Sequence, residues 1–131
     1  MKKWLIVFSL AFALNFVWEN LHSILYLHYK QGLISELILI RASLVDAIII
    51  TLLIGVLFFL GLLKRFHWLI IITGVIISIS IEVWALTSSR WAYSEAMPII
   101  PFIDVGLTPT IQIAITGYLV YYVVFCRSRI R

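Results

Sequence analysis

The chain has 131 residues, of which 63% are hydrophobic and only 12% are charged. Soluble domains carry roughly 25% charged residues, so the composition excludes an ordinary soluble domain and predicts an integral membrane protein. The net charge of +4 does not indicate nucleic-acid binding, because the basic residues stand in short clusters between apolar runs. Clusters of that kind are typical of proteins oriented in a membrane.

Four apolar segments are long enough to cross a bilayer, which takes about 20 mostly apolar residues per helix. They predict an all-α polytopic membrane protein, a bundle of four transmembrane helices in one domain. The predicted helices cover about residues 4–27, 33–63, 68–87 and 109–126. Thr108 is placed to cap the fourth helix, and Pro109 suits its first turn.

The distribution of basic residues predicts the orientation, because cytoplasmic loops of membrane proteins are enriched in lysine and arginine. Seven of the ten basic residues fall on the side that holds both termini: Lys2, Lys3, Lys64, Arg65, Arg127, Arg129 and Arg131. We therefore expect a multi-pass protein of the cell (inner) membrane with both termini in the cytoplasm.

The one long connection joins the third and fourth helices and reads SSRWAYSEAMPIIPFIDVGLT, residues 88–108. It is too apolar for a solvated loop. Non-helical backbone at membrane depth must be covered by protein or line a wet cavity. We expect this connection to fold back over the helix ends as a lid-like or re-entrant segment.

Polar residues on all four predicted helices fall at one depth. At a rise of 1.5 Å per residue, Glu19, Asp46, Glu82 and Gln112 lie roughly 21–26 Å from the cytoplasmic ends of their helices. Ionisable groups inside a membrane almost always face the interior of the helix bundle. The sequence therefore predicts a polar pocket that opens on the outer side, beneath residues 88–108.

The residue types in this layer indicate acid–base chemistry. Three carboxyl groups in a small apolar space cannot all stay ionised cheaply, so we expect at least one to keep its proton at neutral pH. A protonated acid beside an ionised one suits general acid–base catalysis. We predict Glu19 and Glu82 as acid and base, with His22 and Asp46 in support. The alternative is that these groups only hold the helices together through hydrogen bonds.

A second set of residues is placed to bind a substrate around this layer. A basic side chain near the mouth would meet a polar head group, while aromatic side chains would line the apolar part. Arg41 could serve as a counter-charge or extend to the membrane interface. The predicted substrate-binding residues are Arg90, Trp91, Tyr93, Trp18, Trp84, Asn15, Gln112 and Arg41.

The spacing Glu19-x-x-His22 is also one that metal ligands use on a helix. Di-iron bundles use two Glu-x-x-His pairs and two further glutamates, whereas this chain has one such pair. A mononuclear site of Glu19, His22, Asp46 and Glu82 stays open as the alternative. We predict that no metal or other cofactor is bound.

Three stretches, WENLHSILY, RASLVD and IEVWALTSSRWAYSEAMPIIPFIDVGLTPTIQ, resemble a family of small four-helix bacterial membrane proteins of uncharacterised function. The resemblance covers nearly the whole chain and implies the fold, but it supplies no activity. His22 departs from the family pattern, which has a glutamine there, and this weakens the metal alternative. The residues that match the pattern are Trp18, Glu19, Glu82, Arg90, Trp91, Tyr93, Met97, Pro98, Val105, Gly106, Leu107, Pro109 and Gln112.

Three functions fit these observations. The first is a protein that binds or transforms a lipid or isoprenoid-like amphipathic molecule at the outward-facing pocket. The second is a non-catalytic assembly or accessory subunit of a membrane complex, which requires a partner membrane protein. The third is a small proton-coupled transporter working as a homo-oligomer, which the uniformly apolar inner half of the helices disfavours, as in residues 48–63. The sequence favours the first.

Overall fold

A computed structural model describes residues 1–127. The protein is mostly helical, at 69%, with four long helices and two small antiparallel sheets. The helices are α1 Lys2–His22, α2 Glu36–Phe59, α3 Leu69–Thr87 and α4 Leu107–Tyr121, which continues into a π-helical turn Tyr122–Cys126. The strands are β1 Tyr26–Tyr29, β2 Trp91–Tyr93, β3 Ile99–Ile100 and β4 Val105–Gly106. Arg129 and Arg131, which belong to the predicted cytoplasmic set, lie outside the described residues.

Each of the four helices, with its flanking turn where one follows, is long and apolar enough to cross a membrane. The four spans are Lys2–Leu25, Glu36–Phe59, Leu69–Thr87 and Leu107–Cys126. Large apolar side chains such as Leu5, Leu52 and Ile76 are exposed on the outer faces of the bundle. An apolar surface of this extent needs a covering such as lipid. The fold agrees with the predicted all-α, four-helix organisation and indicates a multi-pass membrane protein.

The first helix ends earlier than predicted. It stops at His22 rather than at residue 27, and the chain passes through a 3₁₀ turn into β1. The hydroxyl of Ser23 donates to the carbonyl of Asn20 at 3.0 Å. β1 then pairs with β2, so Tyr26 lies opposite Tyr93. Aromatic residues favour strands, and this pairing with a distant segment overrides the apolar run that predicted a longer helix.

The second and fourth helices also differ from their predicted bounds. α2 starts after the extended residue Ser35 and ends at Phe59, not at 63. Gly61, with φ +71°, takes the left-handed conformation that commonly follows a helix end. α4 starts at Leu107, and Gly106 occupies its N-cap position. Thr108 therefore lies inside the first turn and is not the cap.

The helices pack as two pairs. α1 packs along α2, and α3 packs along α4, which also contacts α1. α3 and α4 approach closely, since a Cβ atom at Gly74 would lie only 2.8 Å from the Cα of Ala114. α2 and α3 touch far less. The bundle therefore has a gap between α2 and α3.

The two ends of the bundle differ in character. We call the end with residues 1–4, 60–68 and 122–127 the terminal end. There the ring of Trp4 packs edge-on against Phe58 at 5.5 Å, above a dry core that includes Ile50, Ile54 and Ile70, all fully buried. The terminal half of the bundle is thus a conventional apolar core.

We call the opposite end, with residues 23–35 and 88–106, the hairpin end. β2 pairs antiparallel with β1, and β3 pairs with β4 within the long connection. The backbone N–H of Lys30 also donates to the carbonyl of Arg90 at 2.6 Å. These contacts fold the connection between α3 and α4 back against the rest of the bundle.

Candidate functional site

A cavity of about 330 Å³ lies at the hairpin end, where α2 and α3 are separated. All four helices and β1 contribute to its walls. Most of the walls are apolar, and the polar groups are concentrated on a few side chains. The polar and charged lining residues include Glu19, His22, His28, Arg41, Asp46, Ser78, Glu82, Arg90 and Gln112.

The amide of Gln112 ties three helices together at one atom. Its Nε2 donates to Glu19 Oε1 at 2.7 Å, to Asp46 Oδ2 at 2.8 Å and to Asn15 Oδ1 at 3.1 Å. A side-chain amide has only two N–H bonds, so three acceptors from α1 and α2 share two hydrogens. Asn15 is oriented by its own bond to the carbonyl of Ala11 at 2.8 Å. We call Asn15, Glu19, Asp46 and Gln112 the amide cluster.

His22 extends the amide cluster towards the start of α4. Its Nε2 lies 3.3 Å from Glu19 Oε2, and its Nδ1 lies 3.2 Å from the hydroxyl of Thr108. A neutral imidazole donates through one ring nitrogen and accepts through the other. A continuous chain of hydrogen bonds therefore runs from one side of α1 into the cavity. Its members, in order, are Thr108, His22, Glu19 and Gln112.

Glu82 occupies a different wall and has its own set of donors. The phenol of Tyr93 and the indole N–H of Trp91, at 3.2 Å, donate to its Oε2, and the phenol of Tyr26 donates to its Oε1 at 3.4 Å. These three aromatic residues come from β1 and β2, so the small sheet positions the carboxyl group of α3. Glu82 makes no hydrogen bond to the amide cluster, and the cavity lies between the two acidic groups.

The phenol donors of Glu82 keep their protons. Burial, with the nearby Glu82 carboxyl in addition, raises the pKa of Tyr26 and the pKa of Tyr93 above the ordinary value of tyrosine. Tyr93 also accepts the backbone N–H of Gly106 at 3.0 Å. The close approach requires glycine, since a Cβ there would lie 3.1 Å from Tyr93 Cζ.

Ser78 presents an unused hydroxyl to the cavity. It is 3% exposed, and its Oγ has no hydrogen-bond partner among residues 1–127. Other helical hydroxyls, such as those of Ser43 and Thr51, donate to the carbonyl four residues earlier at 2.7 Å. Ser78 lies one turn before Glu82 on α3 and lines the same cavity. A buried polar group without a partner is costly, so this hydroxyl is available to a bound molecule.

Two arginines stand at the mouth of the cavity. Arg41 and Arg90 both line it, and neither forms an ion pair with a carboxylate in the described part of the chain. The guanidinium of Arg90 lies 4.7 Å above the ring of Trp84. Its hydrogen bond with Tyr29 lowers the pKa of that phenol. Of the two roles predicted for Arg41, a counter-charge to a carboxylate is the one that the structure contradicts.

The structure thus brings most of the predicted residues around one cavity, in three groups. Glu19, Asp46, Asn15, Gln112 and His22 lie together, with Asn15 fully buried beneath the cavity. Glu82, Trp91 and Tyr93 form the second group. Arg41, Arg90 and Trp84 form the third at the mouth, where the Trp84 ring is half exposed.

Trp18 is the predicted lining residue that the structure places elsewhere. It lines a separate cavity of about 290 Å³, together with Leu21 and Ile24. Its indole nitrogen is buried and has no hydrogen-bond partner among the described residues. Its ring lies 6.4 Å from the ring of His22, which lines both cavities, whereas Trp18 lines only the second of the two. The prediction that it lines the substrate pocket is wrong.

Tyr26, Tyr29 and Ser78 line the cavity but were absent from the predicted set. Tyr26 fitted the helical spacing of Asn15, Glu19 and His22, yet it reaches the site from a strand. The segment Tyr-Leu-His-Tyr, residues 26–29, carries the aromatic signal typical of strands. The sequence signal for Ser78 is its spacing, because it lies four residues before Glu82 and therefore on the same face of the third helix.

The metal alternative finds no matching geometry in the structure. Among residues 1–127, no group of three or more His, Cys, Asp or Glu side chains is arranged to hold an ion. His22 bonds to Glu19 and Thr108, while Glu82 bonds to three aromatic donors.

No family model, curated protein or solved structure matches this chain. The resemblance to small four-helix bacterial membrane proteins therefore stays a prediction.

Proposed function

We propose that this protein binds a lipid or isoprenoid-like amphipathic molecule in its cavity and acts on it by acid–base chemistry. The observation that carries the proposal is one cavity with apolar walls and acidic groups on two sides. The amide cluster supplies Glu19 and Asp46 from one side, and Glu82 faces them from α3. Ligand pockets usually combine apolar walls with a few convergent polar groups, in volumes of about 300–1,000 Å³.

The proposed setting is the cell (inner) membrane, with both termini in the cytoplasm. Lys2, Lys3, Lys64 and Arg65 all lie at the terminal end, and an excess of basic residues favours the cytoplasmic side. The hairpin end then faces outwards, and the connection between α3 and α4 serves as a lid over the outward-facing cavity. Trp91 and Tyr93 in this lid donate hydrogen bonds to Glu82, so the lid also positions the acid.

The proposed catalytic roles follow from the hydrogen bonds. General acid–base catalysis needs a side chain held within reach of the proton that moves. Glu19 is held by Gln112 and His22, and the His22 imidazole lies within hydrogen-bonding distance of the Glu19 carboxyl group, so it is placed to exchange a proton with it. Glu82 is fixed by Tyr26, Trp91 and Tyr93. We assign Glu19 and Glu82 as the acid–base pair, with His22 and Asp46 in support.

A structural role is the second candidate, and the amide cluster favours it. Hydrogen bonds between membrane helices stabilise bundles, and Gln112 joins α1, α2 and α4 at one atom. An assembly or accessory subunit would need no more than this. The unused hydroxyl of Ser78 and the unpaired Arg41 and Arg90 are harder to explain in such a subunit. Coupled transport is less favoured, because fully buried Ile50, Ile54 and Ile70 follow the cavity towards the terminal end.

The test is to purify the protein in mild detergent from its native membrane and analyse extracted amphiphiles by liquid chromatography and mass spectrometry. Glu19→Gln and Glu82→Gln keep side-chain size and most hydrogen bonds, so we expect folded proteins. Each variant should retain a different amphiphile from the wild type, or the same two amphiphiles in a different ratio. Glu36→Gln removes an exposed carboxylate at the start of α2, away from the cavity, and is the matched control. An unchanged profile in both cavity variants would reject the acid–base role.

A further inference from the structure

We propose that the molecule in this cavity carries an anionic, phosphate-like head group held between Arg41 and Arg90, and that it enters sideways from the bilayer between α2 and α3. This inference rests on the proposed function of the cavity and names its substrate class. It assigns Arg41 and Arg90 as residues that bind the head group. It also assigns the gap between α2 and α3 as the route by which the molecule enters the cavity.

The first observation is the position of the two arginines. Arg41 lies on α2, and Arg90 follows the end of α3, so they stand on opposite sides of the gap between these helices. Neither forms an ion pair with a carboxylate among residues 1–127. A guanidinium presents planar donors that match phosphate or carboxylate oxygens in a bidentate way. Two guanidinium groups beside one cavity are therefore complementary to an anion.

The second observation is the support given to Arg90. Its guanidinium lies over the ring of Trp84, and its side chain bonds to the phenol of Tyr29. Its own backbone is fixed by the bond from Arg90 N–H to the carbonyl of Ala85 at 2.9 Å. The side chain is thus held in place at the mouth by an aromatic ring and a phenol, which leave its charge uncompensated.

The third observation is the position of Arg41 along α2 relative to the carboxyl groups in the cavity. Arg41 precedes Asp46 by five residues, which is about 7.5 Å along α2. A head group bound by the arginines is therefore set apart from the carboxyl groups of the amide cluster. The first atoms of the attached chain then reach the level of Glu19 and Glu82. The geometry thus separates recognition at the mouth from acid–base chemistry further in.

The fourth observation is the gap itself. α2 and α3 contact each other little, whereas each packs closely on α1 or α4. Both helices contribute apolar side chains to the cavity, with Ala42 and Val45 on α2 and Ile81 on α3, beside the polar groups already described. These apolar side chains suit a hydrocarbon chain and would not stabilise a free, hydrated anion. A chain attached to the anionic group accounts for both the arginines and the apolar walls.

The experiment uses the full chain in phosphatidylcholine nanodiscs and three probes: farnesyl phosphate, farnesol and inorganic phosphate. Binding is read from tryptophan fluorescence, since Trp84 and Trp91 flank Arg90, and is checked by native mass spectrometry. A charged hydrogen bond typically changes a binding affinity by about tenfold or more. We therefore expect farnesyl phosphate to bind at least about tenfold more tightly than farnesol. Inorganic phosphate should bind far more weakly than either.

Arg41→Gln and Arg90→Gln should each weaken the binding of farnesyl phosphate by about tenfold and leave farnesol unchanged. Lys30→Gln is the matched control, because it removes an exposed positive charge at the same end without touching the cavity. Since Arg41 is exposed, its variant tests the inference even if Arg90→Gln fails to fold. Equal losses in all three variants would show a general surface-charge effect and overturn the inference.

The remaining outcomes separate this inference from the proposed function. Equal affinity for farnesol and farnesyl phosphate overturns the anionic head group, while the cavity remains a site for an amphiphile. Inorganic phosphate that binds as tightly as farnesyl phosphate overturns the lipid substrate, because the chain then contributes nothing. If no probe binds at all, the inference and the proposed binding function both fall.

Discussion

Gln112 is the side chain on which the arrangement of the cavity depends most. Its single Nε2 serves Glu19, Asp46 and Asn15, and it is 4% exposed. Without it, the Glu19 and Asp46 carboxyl groups would lose the amide donor that they share. One amide therefore joins three helices and also stabilises two neighbouring carboxyl groups by donating to both.

Replacing Gln112→Leu should lower the free energy of unfolding by about 2 kcal/mol, since it leaves several buried acceptors without a donor. In a Glu19→Gln background the loss should be smaller, because the new amide can donate to Asp46. The measurement is a double-mutant cycle from unfolding in detergent and denaturant. Equal losses in the two backgrounds would contradict the role assigned to the Gln112 amide.

At the residue scale, helical spacing and depth were enough to predict that Glu19, Asp46, Glu82 and Gln112 lie at one level. The partners of each group could not be predicted in the same way. That Gln112 bonds to Asp46 while Glu82 bonds to Tyr93 depends on how the helices rotate and where β2 lies. Both are set by packing between distant segments.

The packing of α3 on α4 determines where Glu82 stands relative to Gln112. Gly74 permits the close approach, since a Cβ there would lie 2.8 Å from Ala114 Cα and 2.9 Å from its N. These are backbone atoms, which cannot turn aside as a side chain would. The two helices would have to move apart, and the cavity at the hairpin end would change shape.

We therefore expect Gly74→Ala to destabilise the protein by about 1–3 kcal/mol, the usual cost of overpacking. Gly55→Ala on α2 is the control, because its Cβ would meet only Trp4 atoms at 4.0 Å. That substitution should be neutral or slightly stabilising, since alanine is the better helix former. Thermal unfolding in detergent, followed by circular dichroism, measures both. The same midpoint for the two variants would argue against tight contact of α3 and α4.

At the element scale, hydropathy was sufficient to predict four helices, and α3 has nearly its predicted bounds. The strands could not be predicted in the same way. β1 and β2 are separated by more than sixty residues in the chain, and short strands form only when a partner is present. The apolar run at residues 23–27 therefore predicted a continuation of the first helix. In the structure this segment forms a 3₁₀ turn and the start of β1, because β1 pairs with β2.

The whole molecule divides into a dry terminal half and a polar hairpin half. The proposed orientation places the hairpin half outwards. In a Cys126→Ser background, Glu95→Cys should react with a membrane-impermeant maleimide on intact cells. Lys64→Cys should react only after the membrane is permeabilised, because it lies in the α2–α3 turn at the terminal end. The reverse pattern of labelling would invert the orientation and place the cavity on the cytoplasmic side.

We propose above all that the cavity between α2 and α3 holds an amphiphile. Native mass spectrometry of the protein from its own membrane tests it most directly, with Ala42→Trp to fill the cavity and Leu44→Trp on the exposed side of the same helix as control. We predict one firmly retained amphiphile per chain in the wild type and in Leu44→Trp, and none in Ala42→Trp. The same bulk membrane lipids in all three proteins, with no specific adduct, would contradict the claim.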